Sequence, residues 1–330
     1  MCRGRARTVH CQRIASGGIT ITLMALVCLS SCSDSPTPQR VRLDTPQTVA
    51  PGSPSEEPAG ESQLPLRVAI AAVVSPRESF RYYDDLLGYL SDGLGRPVER
   101  LQRPTYAEIN DLIRYGGADV AFVCTLAYVV GNGAFGMELL AAPVVHGRQT
   151  YRSLIIVPAA SSAKTIEDLR GTDFAFTDPL SNSGRLAPTD LLRGRGETPE
   201  AFFQRTIYTY SHDKSIRAVA DALVDGAAVD SLVYATLARD HPDVDAGARV
   251  IWASPEYGMP PVVVSPHLDA DLERDIARLL LDMHVDPDGR AILDVLSIER
   301  FAPIADAAYD PVREMLRRVG GYGDFLAASQ

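Results

Sequence analysis

The sequence predicts an α/β protein that is large enough for two lobes. From Leu66 onward, short β-branched runs alternate with segments whose apolar residues recur at helical spacing, which is typical of α/β folds. The chain has 330 residues, of which 46% are hydrophobic and 22% charged, and this is more than one small core needs. The sequence has no repeat with a period of 20–50 residues. We therefore expect two lobes built from strands and helices.

The first 31 residues have the features of a bacterial export signal. They contain four arginines and no acidic residue, and they include an apolar run over residues 19–29. This run is about half of the ~20 residues that a membrane-spanning helix needs. The residues Leu29-Ser30-Ser31-Cys32 resemble a bacterial lipobox, in which the cysteine thiol receives a diacylglycerol and becomes the new N-terminus. We predict a lipoprotein signal peptide at 1–31 and lipidation of Cys32; an ordinary secretory signal cut near Ser31 is the alternative.

A tether is predicted to follow, over residues 32–64. Between residues 33 and 64 there are six prolines among Ser, Thr, Glu and Gly, with hardly a large apolar side chain. Such a segment cannot bury enough surface to offset the entropy lost on ordering. We expect a disordered spacer that ties the folded part to a membrane through its lipid alone.

The first ninety folded residues predict a βαβαβ unit. We expect strands at 66–74, 98–102 and 119–123, a helix capped by Ser79, and a second helix opened by the capping box from Thr105 to Glu108. Right-handed crossovers then predict a mostly parallel sheet.

The rest of the chain repeats the alternation of strands and helices. A polar loop at 178–184 interrupts it, and the helix after Thr198 has proline at its first position. The expected strands are 151–157, 174–176, 206–210, 227–230, 249–253 and 261–264. The expected helices are a short one capped by Thr165, then 185–192, one from Thr198, 213–225, 231–239, 271–283, 288–295 and 311–319.

Composition excludes several functions. A formal charge of −10 and a pI near 5.1 argue against nucleic acid as a partner, although a few donors in a cleft can still hold a small anion. Loss of the four signal-peptide arginines would take the charge from −10 to −14. We find no Walker loop, nucleophile elbow or zinc motif, and we predict no cofactor and no metal. A Ser183/His212/Asp230 triad can be drawn from the letters, but no independent sign of a nucleophile accompanies it, so we predict that the protein is not an enzyme.

Residues 67–131, the loop FTDPLSNSG and the segment YSHDKSIRAVADALVDGAAVDS together resemble the periplasmic phosphate-, phosphite- and phosphonate-binding proteins of ABC transporters. The resemblance covers about residues 66–318. It implies a two-lobed type II solute-binding fold, each lobe a mostly parallel sheet flanked by helices, with the ligand in the cleft between them. Lobe one would comprise 65–155 and 255–330, and lobe two 156–254. Closure of the lobes around a solute is a hinge motion.

The loop Ser181-Asn182-Ser183-Gly184 is the predicted anion site. It lies between a strand and a helix, where the amides of Asn182, Ser183 and Gly184 would be unpaired first-turn donors at the positive end of the helix dipole. A tetrahedral oxyanion there would receive these donors and two hydroxyls. A plain N-cap serine is the alternative.

The resemblance adds further candidates around the cleft. Tyr106 and Tyr128, at the starts of two helices, would donate phenol hydrogen bonds, and Thr125 would assist. His212 and Asp230 each end a strand ahead of a helix. The anion would favour a charged His212. Asp230 would select a ligand with a P–OH group over sulfate. A capping or core role is the alternative for these two residues.

We therefore expect a substrate-binding lipoprotein of an ABC importer that delivers a phosphorus oxyanion to its permease and ATPase. The alternatives are a ligand-sensing lipoprotein working with a signalling receptor, and a binder of another small anion such as a sulfonate. The expected location is the periplasm or the outer face of the cytoplasmic membrane, anchored through Cys32, as a monomer. Because the stretch 257–262 offers no acid for an ammonium group, with Glu256 only close by, we expect phosphate, phosphite or a simple phosphonate. We expect Cys124 to be a buried free thiol.

Overall fold

The computed structural model describes residues 64–74 and 76–323. The predicted signal peptide, Cys32 and all of the predicted tether except Leu64 lie outside these residues. In the described part of the chain, no helix combines the length and the apolar character needed to cross a membrane.

The strands alternate with helices along the described chain, as the sequence predicts. The strands are β1 (Leu66–Ile70), β2 (Val98–Gln102), β3 (Val120–Phe122), β4 (Glu138–Val144), β5 (Thr150–Tyr151), β6 (Ser153–Pro158), β7 (Asp173–Phe176), β8 (Arg205–Tyr208), β9 (Gly226–Asp230), β10 (Ala248–Ala253), β11 (Tyr257–Gly258), β12 (Val262–Val264) and β13 (Arg300–Ala302).

The α-helices flank these strands. They are α1 (Pro76–Leu94), α2 (Tyr106–Arg114), α3 (Thr125–Phe135), α4 (Ala187–Arg193), α5 (Pro199–Phe202), α6 (His212–Ala220), α7 (Ser231–Asp240), α8 (Pro242–Gly247), α9 (Ala270–Asp282), α10 (Pro287–Leu296) and α11 (Asp310–Arg318). Short 3₁₀ turns at Ile166–Leu169 and Asp306–Tyr309 and a π-helical turn at Asn182–Leu186 complete them.

Two separate sheets define two lobes. The six-stranded sheet has the order β13-β4-β12-β3-β1-β2, and the five-stranded sheet has the order β10-β6-β9-β7-β8. A two-stranded ribbon of β11 and β5 joins the segments that pass between the sheets. The six-stranded sheet takes strands from both ends of the folded chain, so its lobe is discontinuous in sequence. We call the two parts the six-stranded lobe and the five-stranded lobe.

The expectation of mostly parallel sheets is wrong in detail. In the six-stranded sheet β1 pairs in parallel with β2 and β3, whereas the β12–β3, β12–β4 and β13–β4 pairs are antiparallel. In the five-stranded sheet the β7 pairs are parallel, and both β6 pairs are antiparallel. The strands joined by a helix in each βαβ unit are parallel, as predicted. The antiparallel strands include those that bring the chain into and out of the second sheet.

The strand sequences explain why both sheets are covered on both faces. In β1, Leu66, Val68 and Ile70 face one hydrophobic cluster, whereas Ala69 faces another. In β6, Leu154 and Ile156 likewise face away from Ile155 and Val157. Alternate side chains point to opposite faces of a strand, so a continuous apolar run requires a helix layer on each side. The helices supply these layers.

The boundaries of the elements agree closely with the sequence where local signals are strong. The predicted strand 98–102 is β2, and the capping box of Thr105 and Glu108 is present in full. The predicted cap at Ser79 is wrong, because α1 begins at Pro76 and Ser79 lies inside it. Strands β4, β11 and β13 and helix α8 have no counterpart among the predicted elements.

The lobe boundaries remain a proposal. The predicted division between residues 155 and 156 falls inside β6, which belongs to the five-stranded sheet from Ser153. The predicted return of the chain to lobe one at residue 255 lies just after β10, which ends at Ala253. We propose that the chain crosses between the lobes at β5 and β11, because these two segments pair with each other outside both large sheets.

Candidate functional site

The serine loop, residues 181–184, joins β7 to α4 and is buried throughout. Ser181 has an extended backbone, with φ −79° and ψ 128°, and its Oγ accepts the Gly184 amide at 2.9 Å. Ser181 therefore caps the π-helical turn. The Asn182 amide donates to the Cys124 Sγ at 3.5 Å. The prediction of three unpaired amides is thus wrong for Asn182 and Gly184, and for Ser183 it stays a prediction.

Neighbouring strands hold the serine loop in place. The Ser153 Oγ, on β6, donates to the Ser183 carbonyl at 2.7 Å. The Thr177 amide, next after β7, donates to the Gly184 carbonyl at 3.2 Å. These two bonds hold the backbone of the serine loop against the five-stranded sheet.

Four buried polar atoms around this loop have no hydrogen-bond partner among the described residues. They are the hydroxyl oxygens of Tyr106, Ser183 and Ser211, and the Oδ1 of Asn182. A buried polar group without a partner costs about 1–3 kcal/mol, so such groups are uncommon unless something else binds them. Three of the four can donate. This is the donor set that a small oxyanion requires.

Tyr106 is fully buried at the first position of α2. Burial raises the pKa of its phenol well above the usual value, and the acidic groups of Cys124 and Asp178 raise it further. The phenol is therefore a neutral donor, as the sequence analysis expects.

His212 begins α6 and is buried, but it is not the charged donor that the sequence predicts. Its Nδ1 accepts the Asp230 amide at 3.0 Å, so this nitrogen carries no proton. Its Nε2 lies 3.4 Å from the Ser181 Oγ. Burial lowers the pKa of His212 to about 3. The neutral ring therefore supports Ser181 and the end of β9, and a charged form would break the bond to Asp230.

Asp230 ends β9 and caps α7. Its Oδ1 accepts the amides of Leu232 at 2.7 Å and Val233 at 3.3 Å, as its alternative role as a helix N-cap requires. The carboxylate does not bond to the imidazole, because Asp230 meets His212 through its main chain. The Ser183/His212/Asp230 triad is therefore not assembled. Burial raises the pKa of Asp230 to about 7, so near neutral pH this carboxyl group can donate or accept a proton.

Tyr128 and Thr125 lie on α3, but their hydroxyls are already used by the protein. The Tyr128 hydroxyl donates to the Asp306 Oδ1 at 2.6 Å, and the Asp306 side chain is 56% exposed. This phenol is therefore bonded within its own lobe, which argues against its predicted role as a clamp across the cleft. The Thr125 Oγ1 donates to the Gly258 carbonyl at 2.9 Å, which ties α3 to the crossing strand β11.

Sequence reasoning missed three residues at this site. The Tyr151 hydroxyl accepts from the Asn182 Nδ2 at 3.0 Å, and Tyr151 lies on the crossing strand β5. Asp178 accepts the Tyr106 amide at 3.2 Å and the Leu180 amide at 2.7 Å. Ser211 contributes one of the unpartnered hydroxyls. Asp178 and Ser211 lie within the motifs that carry the family resemblance, whereas Tyr151 shows only as the start of an apolar strand.

Contacts between the lobes bring these residues together. The His212 amide donates to the Val73 carbonyl at 3.0 Å, from the five-stranded lobe to the loop after β1. Arg318 on α11 forms two hydrogen bonds of 2.8 Å to Asp190 on α4. The Tyr106–Asp178 bond is a further contact between the lobes, close in sequence to the serine loop. The site is therefore formed by both lobes.

The serine loop is bonded mainly by hydroxyl, amide and ring groups. The hydrogen bonds that the described residues make to the serine loop include none from a Lys or Arg side chain. Within 64–74 and 76–323, no group of three or more His, Cys, Asp or Glu residues is placed to hold a metal ion. Cys124 is buried, and burial raises the pKa of its thiol to about 11.

The raised pKa of Asp230 predicts a pH-dependent effect of Asp230→Asn. In the unfolded chain an aspartate titrates near ~3.9, whereas burial raises the folded value to about 7. The folded protein keeps a proton that the unfolded chain releases, so this group's contribution to stability is lost as pH rises from about 4 to about 7. Asparagine caps a helix about as well as aspartate. We expect Asp230→Asn to raise the melting temperature by several degrees at pH 8 and by much less at pH 4.5. An equal shift at both pH values would contradict the buried, protonatable carboxyl group.

Two lobes, each a sheet flanked by helices, with a polar site between them and two crossing segments, define a two-lobed solute-binding protein of type II. A profile of the family described as "ABC transporter, phosphonate, periplasmic substrate-binding protein" matches residues 68–309. The chain belongs to this family.

Characterised relatives agree with this assignment. The chain is 24% identical over 262 residues to the phosphonates-binding periplasmic protein of Escherichia coli K12, covering 78% of this chain and 77% of that protein. It is 29% identical over 258 residues to the phosphate-import protein PhnD of Mycolicibacterium smegmatis, covering 74% and 73%. The protein is a periplasmic solute-binding component of an ABC importer.

Solved structures share the fold. A binding protein of an ABC phosphonate transporter from Pseudomonas aeruginosa superposes with a TM-score of 0.73 at 24% identity, covering 77% of this chain and 86% of that one. PhnD1 from Prochlorococcus marinus, in complex with methylphosphonate, gives 0.71 at 19% identity, covering 78% and 98%.

Proposed function

We propose that the chain captures phosphate, phosphite or a phosphonate between its lobes and delivers it to the permease and ATPase of the importer without catalysing a reaction. The observation that supports this most is the set of unpartnered hydroxyls of Tyr106, Ser183 and Ser211 around the serine loop. A tetrahedral oxyanion would satisfy all three. Closure of the lobes would then be favoured, because Tyr106 belongs to one lobe and the two serines to the other.

Calorimetry tests this function. Phosphate, phosphite, methylphosphonate and sulfate would each be titrated into the purified protein, and a phosphate ester would be incubated with it. We expect saturable heat from at least one phosphorus oxyanion and no turnover of the ester. The absence of heat from every phosphorus oxyanion would overturn the proposal, and turnover would show an enzyme.

Asp230 is proposed to make the site prefer phosphate to sulfate. At a pKa of about 7 its carboxyl group can accept a proton from a P–OH group or donate its own, while sulfate carries no proton near neutral pH. Asparagine at position 230 still caps α7, but its amide nitrogen cannot accept a hydrogen bond. We expect Asp230→Asn to lower the ratio of phosphate to sulfate affinity by about tenfold or more, which is one charge-assisted hydrogen bond. An unchanged ratio in calorimetry at pH 7 would rule out this role.

The lipid anchor is a separate part of the proposal. Cys32 follows Leu29-Ser30-Ser31 behind a basic and then an apolar segment. We expect Cys32→Ser to move the protein from the membrane fraction to the soluble periplasmic fraction, while Cys28→Ser leaves it in the membrane. Retention of the Cys32→Ser variant in the membrane would contradict lipidation. Native mass measurement of the released form tests the proposed monomer.

A further inference from the structure

A large apolar cavity lies between the lobes beside the candidate anion site. Its volume is about 470 Å³, within the roughly 300–1,000 Å³ of small-molecule sites in proteins. Phe122, Pro143 and Phe301 line it from the six-stranded lobe. Leu232, Val233 and Thr236 of α7 line it from the five-stranded lobe. The volume is far more than a bare oxyanion fills.

Asp230 connects this cavity to the anion site. The residue lines the cavity, and its amide donates to His212, whose other ring nitrogen faces Ser181. The Asp230 Oδ1 accepts two amides of α7, which hold the carboxyl group in place. A substituent of an oxyanion at the serine loop that is directed toward Asp230 would enter this cavity.

We infer that the cavity receives an apolar organic substituent of the bound oxyanion, so that the preferred ligand is a phosphonate with a medium-length alkyl or an aryl group. This inference rests on the proposed function, since the oxyanion end must bind at the serine loop. Burying the substituent removes apolar surface from water, and the Leu, Val, Phe and Pro side chains of the wall offer it dispersion contacts.

Charged side chains of both signs line the cavity or lie near it. Glu256, the acid that the sequence places near the crossing, accepts hydrogen bonds from Arg148, Arg152 and Thr150 and lies outside the cavity lining. Asp213 and Asp230 line the cavity together with Arg239. Arg239 donates to the Ser297 Oγ at 3.3 Å, from α7 to the residue after α10. This contact joins the two lobes at the cavity lining.

A ligand series measures the contribution of the cavity. The series is methyl-, propyl-, hexyl- and phenylphosphonate, with aminoethylphosphonate as the charged counterpart of propylphosphonate. Burial of one methylene strengthens binding about fourfold, and ordering the chain opposes part of this gain. We expect hexylphosphonate to bind about ten- to a hundredfold more tightly than methylphosphonate. Propylphosphonate should also bind more tightly than aminoethylphosphonate.

Two matched substitutions test the location. Ala235 is exposed on α7 at the cavity wall, and Ala291 is exposed on α10 outside it. We expect Ala235→Phe to weaken hexylphosphonate about tenfold and methylphosphonate by less than about twofold, because the new ring occupies the space of the longer chain. Ala291→Phe should change neither. Thr236→Phe provides a second cavity variant, and melting temperatures check that each variant folds.

The outcomes separate this inference from the proposed function. If methylphosphonate binds but hexyl- and phenylphosphonate bind no more tightly, the inference is wrong and the function stands. Tighter binding of aminoethylphosphonate than of propylphosphonate would also overturn it, since the acids would then dominate. Equal weakening of both ligands by Ala235→Phe would place the substituent elsewhere. Absence of binding by every phosphorus oxyanion would instead be the failure of the proposed function.

Discussion

Replacing Tyr106 by phenylalanine is expected to weaken binding of the phosphorus oxyanion about ten- to a hundredfold without lowering the melting temperature. The Tyr106 hydroxyl is buried and has no partner among the described residues, so its removal takes no hydrogen bond from the ligand-free protein. A bond from a phenol to a charged oxyanion is worth about 1.5–3 kcal/mol. Because the variant no longer buries a hydroxyl without a partner, we expect its free energy of unfolding to rise slightly.

Tyr128→Phe is the matched control, because both tyrosines are buried near the start of a helix in the same lobe. The Tyr128 hydroxyl already donates to Asp306. We expect this variant to lose about 1 kcal/mol of stability and to keep its affinity within about twofold. Calorimetry and thermal melts on both variants distinguish the roles. Equal losses of affinity would mean that the partnerless hydroxyl does not mark the ligand site.

Ser183→Ala extends the same test to the serine loop. Its hydroxyl is also buried without a partner, whereas the Ser181 hydroxyl accepts the Gly184 amide. We expect Ser183→Ala to reduce affinity with unchanged stability, and Ser181→Ala to reduce both. A stable Ser181→Ala variant would contradict its role as the cap of the turn.

Local sequence signals predicted the elements that position the site. Thr105 and Glu108 form a capping box, which fixes the start of α2 and so places Tyr106 at its first position. The polar loop between an apolar strand and a helix likewise predicted the position of Ser181. These features depend on residues within a few positions of each other, so they can be predicted from a single sequence.

What the sequence could not predict depends on distant residues. The direction of the Tyr128 hydroxyl depends on Asp306, which lies 178 positions later. The charge of His212 depends on burial and on the Asp230 amide, 18 positions away. Strand β4 contains Pro143, and β5 and β11 have two residues each, so periodicity gives little signal for them. The large apolar cavity arises from residues spread over both lobes and has no local motif.

Gly184→Ala is expected to be the most damaging single-methyl change in the site. A Cβ at this position would lie 2.4 Å from the Thr177 Oγ1 and 2.5 Å from the Thr177 Cβ, far inside van der Waals contact. Thr177 is fully buried, and its Oγ1 also lies 3.1 Å from the His212 Nδ1. The side chain therefore cannot rotate away without breaking the support of His212. Either the serine loop or Thr177 must move, and both positions define the donors offered to the ligand.

We expect Gly184→Ala to lower the free energy of unfolding by about 1–3 kcal/mol, the usual cost of overpacking, and to abolish measurable oxyanion binding. Gly133→Ala is the matched control: Gly133 lies inside α3, and a Cβ there meets no atom within 4 Å. In a helix interior this change should raise stability by about 0.5–1 kcal/mol and leave affinity unaltered. Chemical denaturation and calorimetry of the two variants give the comparison. Normal binding by Gly184→Ala would show that the loop tolerates displacement, and the donor geometry derived for Ser181 and Ser183 would then be wrong.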